Sequence, residues 1–114
     1  MIENKMMLQF KIDNQSVERL DNVKVAKSSN FLYARFTFSD NWEGLTKYAI
    51  FNSIDMLNPT EVALDNDSIV KVPDELIEFP GIILTLRGVK DNIEVFTENV
   101  MIDVEFMRTA LSQE

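Results

Sequence analysis

The 114-residue sequence contains no cysteine and no histidine. Those absences remove disulfide staples, thiolate nucleophiles, imidazole acid–base groups, the usual triads and the Cys/His ligands of nearly all structural zinc sites. Enzyme chemistry would have to run on carboxylates, lysines, serines or tyrosines. Glycine and proline are scarce, at three each, unlike the compositions that keep a chain disordered. Cations are the minority charge: 11 Lys and Arg face 19 Asp and Glu, for a net −8, and no stretch gathers the basic residues. Phosphate backbones and anionic headgroups are held by concentrated positive charge, so no nucleic-acid partner and no membrane partner is expected. The most apolar stretch, residues 81–86, falls far short of the roughly 20 residues that cross a bilayer. Glu3 and Lys5 interrupt the start before any apolar core region forms, so no secretory signal is expected and the chain reads as soluble and intracellular when made.

What the sequence does contain is hydrophobic mass, 46% of residues, in a length that suits one domain. Its dominant signal is alternation with period two. Met7, Gln9 and Lys11 alternate with Leu8, Phe10 and Ile12, and residues 13–16 supply turn chemistry. Val23 to Ala26 reads as a short second strand. Phe31 to Phe38 carries Leu32, Ala34, Phe36 and Phe38 on one parity and Tyr33, Arg35 and Thr37 on the other, which predicts one buried and one wet face. Ser39-Asp40-Asn41-Trp42 predicts a corner with a short helical turn. Further strands are expected at Lys47–Asn52, Thr60–Leu64, Ile69–Val72, Ile82–Arg87, Asn92–Phe96 and Val100–Val104, with a strand or turn near Asp55–Asn58 and a hairpin turn at Gly88–Asp91. Pro73-Asp74-Glu75-Leu76 reads as a helix start that Pro80-Gly81 stops within two turns. The expectation is all-β and mainly antiparallel: a sandwich or partly open barrel of about eight short strands spanning residues 1–104, with one short helix near Pro73.

From Val104 the period changes. Val104, Met107 and Leu111 share a helical face, with Phe106 and Ala110 nearby, so residues 105–114 are read as a short helix or an ordered arm. A helix that short needs something to pack on. Phe106, Met107 and Leu111, together with Met6 and Met7 near the other end, are the candidate interface residues.

Other features have duller readings that lead. Trp42, the sole tryptophan, is read as core and Gly44 as a positive-φ turn residue. Asp65, Asn66 and Asp67 offer oxygens but lack the glycine and distal glutamate of an EF-hand loop, so a turn is expected and no metal site. Asp74, Glu75 and Glu78 are read as a solvated face and not as a glycosidase pair. Lys47-Tyr48 and Ser28-Ser29 match no nucleophile motif. No catalytic residue and no cofactor is expected.

The block from Phe36 to Phe51, FTFSDNWEGLTKYAIF, resembles the F-x-F-S-x-x-W-x-G-L-x-K-x-A-x-F pattern of small β-domains in tail proteins of phages infecting Gram-positive bacteria. Val72-Pro73 before a short helix, Pro80-Gly81, a strand ending in Arg87-Gly88, and Thr97-Glu98-Asn99-Val100 are similar to the same group. Asp74 and Glu75 depart from it, standing where that group has a bulky aromatic and acidic pair. The resemblance implies a non-enzymatic virion component made in the host cytoplasm, a structural or adaptor protein of the tail tip or baseplate. Its implied partners are other tail proteins, further copies of itself in a ring, or, in a host-attachment role, surface carbohydrate. The competing reading is a small acidic phage-encoded protein that binds and inhibits a host enzyme.

Overall fold

The computed structural model describes residues 6–26 and 32–105. Of these, 59% lie in strands and no helix reaches seven residues, so the fold is all-β, with one sheet curled into a half-barrel and a second sheet beside it. The strands are β1 (Met6–Asp13), β2 (Ser16–Arg19), β3 (Val25–Ala26), β4 (Leu32–Phe38), β5 (Thr46–Ser53), β6 (Thr60–Ala63), β7 (Ile69–Lys71), β8 (Gly81–Lys90), β9 (Ile93–Phe96) and β10 (Val100–Glu105). Four form a sheet in the order β2-β1-β4-β7. The other six run β3-β10-β8-β5-β6, with β9 also on β8.

Alternation sets which side chains meet. Leu8, Phe10 and Ile12 of β1 and Leu32, Ala34 and Phe36 of β4 share one core with Ala49 and Phe51 of β5, Ile82, Leu84 and Leu86 of β8, and Ile102 and Val104 of β10. Two apolar sheet faces thus bury each other, as period two allows, while the opposite face of the larger sheet is mixed, with Arg87, Glu61 and Glu94 beside exposed Phe96 and Met101. The 3-10 turn Asp74–Glu78 adds Leu76 and Ile77 to the core, which is why so short a segment is ordered.

The predicted first strand, the Phe36-containing strand, the corner and the short helix near Pro73 are all present, the last two as 3-10 turns. Asp55 to Asn58 is loop. Three expectations need correction. Ten strands, and not about eight, lie among the described residues, one of the additions being β2, which follows directly on the first turn. The second strand shrinks to Val25–Ala26. The pairing is mainly antiparallel as expected; the two parallel pairs, β1 with β4 and β3 with β10, arise because the chain leaves the first sheet after β2, adds β3 to the other and returns as β4. Finally, Gly88 lies inside β8, and the hairpin turn is at Asp91-Asn92. β10 also runs one residue past the expected boundary, to Glu105. The predicted terminal helix or arm lies outside the described residues.

Gly88 has a packing reason to be glycine. A Cβ there would stand 2.7 Å from Trp42 Cζ3 and 2.9 Å from Leu45 Cδ1. The indole cannot retreat, since its Nε1 donates to the Asn14 carbonyl at 2.6 Å. Gly88→Ala should therefore lower unfolding free energy by about 1–3 kcal/mol through overpacking. Urea titration followed by circular dichroism measures it, and a neutral result would mean that the ring can shift.

Candidate functional site

The corner between β4 and β5 carries the chain from one sheet to the other. Ser39 N–H donates to the Ile12 carbonyl and Ser39 Oγ accepts from Asn14 N–H at 2.9 Å, which docks the corner on the β1–β2 turn. The turn Asp40–Trp42 then drives Trp42 inward, 1% exposed, with Phe38 at 5.1 Å between ring centroids. Gly44 has φ +85°, the conformation that lets the chain reverse into β5. Two clefts of about 340 Å³ flank the indole. One is lined by Phe36, Phe38 and Lys47 with Asp40, Glu43 and Asp67 at its rim. The other is lined by Leu45, Ile93 and Val95 with Asn14, Gln15 and Asn41. Among the described residues no group of three or more acidic side chains could hold a metal ion. Asp65 behaves as a turn residue, its Oδ1 accepting from Asp67 N–H at 3.0 Å.

At the far end of the same sheet, the loop joining β5 to β6 is built differently. Asn52 and Ser53 are buried although polar. Asn52 Oδ1 accepts the backbone N–H groups of Ser53 and Asn58, both at 2.9 Å. Ser53 Oγ accepts from Asn58 Nδ2 at 3.0 Å and donates to Asp55, whose Oδ1 also accepts from Leu57 N–H. Those hydrogen bonds from Ser53 and Leu57 hold the Asp55 carboxyl below its ordinary value. Met56 is locked at φ +65°, a region non-glycine residues seldom adopt. The network points apolar side chains at water: Met56 is 50% and Leu57 74% exposed. Ile54 stands beside them and, with Met101, borders Gly81.

The outer face of this sheet carries a charged cluster as well. Arg87 donates to Glu94 at 2.6 Å and to Glu61 at 2.8 Å and lies over the Tyr48 ring; its hydrogen bond to Glu94 leads the causes that raise its pKa, against the opposing effect of burial. On the other sheet, Asp21 accepts from Arg19 and from the amides of Gln9 and Val23, its side chain only 5% exposed. Burial works against its ionisation, but the bonds from Arg19, Gln9 and Val23 outweigh it, and the pKa falls below 3.8. A depressed carboxyl contributes stability that is complete above about pH 4 and is lost as pH falls through the lower folded value. Asp21→Asn should thus cost about 1.5–3 kcal/mol at pH 7, and the two proteins' urea midpoints should converge in strong acid. Parallel curves down to pH 2 would contradict this.

Of the candidate interface residues, Met6 packs partly buried against the core, and Met7 sits half-buried on the opposite parity beside Tyr33. Phe106, Met107 and Leu111 lie outside the described residues. The loop Ile54–Leu57 was not singled out in the sequence. Its signal was present as apolar residues inside a turn segment bounded by Asn52-Ser53 and Asn58-Pro59. No protein-family model matches the chain, and no curated protein matches it.

Proposed function

We propose that the chain is a docking module of a phage tail, an adaptor of the tail tip or baseplate that joins other tail proteins and performs no catalysis. Its paired sheets act as a β-sandwich scaffold for a fixed contact surface. The observation that carries docking is the β5–β6 loop. Buried polar groups and a strained Met56 backbone hold Ile54, Met56 and Leu57 in water, an arrangement that gains nothing until a partner covers it. The resemblance of the Phe36 to Phe51 block supports the tail assignment, since its distinctive residues form one corner: Trp42 fills it, Gly44 turns it and Lys47 lies over Phe38.

The test is the composition of the virion. Antibody against the protein should decorate the tail tip of intact particles of the encoding phage. Absence from purified virions, with recovery of the protein bound to a host enzyme in infected cells, would replace this reading with the acidic-inhibitor one.

A further inference from the structure

The exposed loop continues onto the outer face of its sheet. Ser53 pairs with Ile82, which brings Ile54 opposite Gly81, and Asp103 pairs with Gly81 from the other side. Gly81 has no side chain, and its neighbours use the space: Ile54 Cδ1 and Met101 Sδ each reach to 3.1 Å from where a Cβ would stand. In the next row Ile83, half-buried, lies between Met101 and Asn52. An apolar shelf therefore runs from Met101, 51% exposed, across Ile54 and into the loop at Met56 and Leu57. Two of its four exposed side chains are methionines, which adapt their shape to whatever covers them.

Acidic groups bracket this shelf. Asp103 is exposed beside Gly81 on the β10 side. Asp55 is exposed in the loop on the other side, its carboxylate held by the hydrogen bonds from Ser53 and Leu57. Two strand spacings of about 4.8 Å separate Asp103 from Ile54, so the acids stand roughly 10 Å apart with the apolar side chains between them. Neither carboxylate makes an ion pair among the described residues. The nearby described cations are already taken: Lys24, beside the end of β10, by Glu105 at 3.8 Å, and Arg87, further along β8, by Glu61 and Glu94. Such a rim repels anionic lipid and nucleic acid. It also disfavours a second copy of this chain, which brings a net charge of −8.

We propose that the shelf takes a cationic, apolar segment of another protein, whose apolar side chains cover Ile54, Leu57 and Met101 while its lysines or arginines meet Asp55 and Asp103. Apolar cover supplies the affinity, and the flanking charges set the register and speed the encounter. The inference deepens the docking reading and rests on it, naming the chemistry of the partner at this surface.

The experiment follows short fluorescent peptides by anisotropy on the full chain. A peptide alternating lysine with leucine should bind. Peptides alternating glutamate with leucine, or lysine with serine, should bind about tenfold or more weakly. Asp103→Lys and Leu57→Asp each alter an exposed side chain, and matching thermal melts check that both variants fold. Each should weaken the lysine–leucine peptide about tenfold, and Asp103→Asn should weaken it less and flatten its dependence on salt. Three results overturn the proposal: no binding of the lysine–leucine peptide, equal binding of the glutamate–leucine peptide, or binding that neither Asp103→Lys nor Leu57→Asp weakens, since the peptide would then sit on acidic surface elsewhere. A photo-crosslinking amino acid in place of Leu57 reads the natural partner in virions. The product should join it to a stretch of another protein that sets apolar residues between lysines or arginines. Linkage to a stretch without cations, to a second copy, or to residues 106–114 of the same chain overturns the assignment. Labelling of the tail tip judges the docking reading separately: a protein found there whose cross-linked partner stretch lacks cations defeats this inference and leaves docking standing.

Discussion

Trp42→Ala should destabilise the protein by about 3–5 kcal/mol, the range for emptying a large aromatic site in a core. Total stabilities of small domains are about 5–15 kcal/mol, so the variant is expected to be marginal. Three contributions combine. The indole is 1% exposed and its removal leaves a void that Gly88, with no side chain, cannot fill. The Phe38 ring loses its neighbour at 5.1 Å. The Asn14 carbonyl loses its indole donor, and with it a tie between the first turn and the corner. Trp42→Phe should recover most of the apolar contact and none of the hydrogen bond, and fall between the two. Tryptophan fluorescence is lost with the only tryptophan, so far-ultraviolet circular dichroism in urea is the measurement. The midpoint should drop with the slope unchanged. A loss below about 1 kcal/mol would show that the corner does not depend on the ring.

The same corner shows how far the sequence could be read. Trp42 as core, Gly44 at positive φ and the buried parity of β4 all follow from local pattern, and the structure bears them out. β2 did not declare itself, because its inward parity is Val17 and Arg19, opposite Ile12 and Phe10. An arginine on a core-facing position hides the alternation. It is tolerated because Asp21 and the Val23 carbonyl take its donors at the sheet edge. Gly88 was misread for a related reason: glycine signals a turn when local geometry requires it, and here the requirement is a tryptophan 46 positions away in the chain. Parallel pairing of β1 with β4 and the exposed loop at Met56 are also products of tertiary arrangement. No window of neighbouring residues encodes them.

Thr97→Val should cost about 2–3 kcal/mol although it changes shape hardly at all, because it strips the buried Leu86 N–H of its acceptor, at roughly 1–3 kcal/mol for a buried group left unsatisfied, and removes the donor to the partly buried Glu98 carbonyl. The reason lies in register. Arg87 faces Phe96 and Leu84 faces Val100, so Thr85 and Leu86 stand opposite three residues, Thr97, Glu98 and Asn99. The extra residue makes a bulge that separates β9 from β10. Thr97 closes the gap: its N–H donates to the Leu86 carbonyl, its Oγ1 accepts from Leu86 N–H at 2.9 Å, and the same hydroxyl donates to the Glu98 carbonyl. The hydroxyl thus substitutes for a strand carbonyl that the bulge has displaced. Displacement in turn frees Glu98 to cross to the other sheet, where its N–H donates to the Gln15 carbonyl and its carboxylate accepts from Val17 N–H at 2.9 Å. Thr97→Ser keeps the oxygen and should lose only the methyl contact, about 1 kcal/mol. If valine and serine are equally tolerated in urea titrations, the bulge is held by Glu98 and its partners on β2, and Glu98→Ala then becomes the more damaging change.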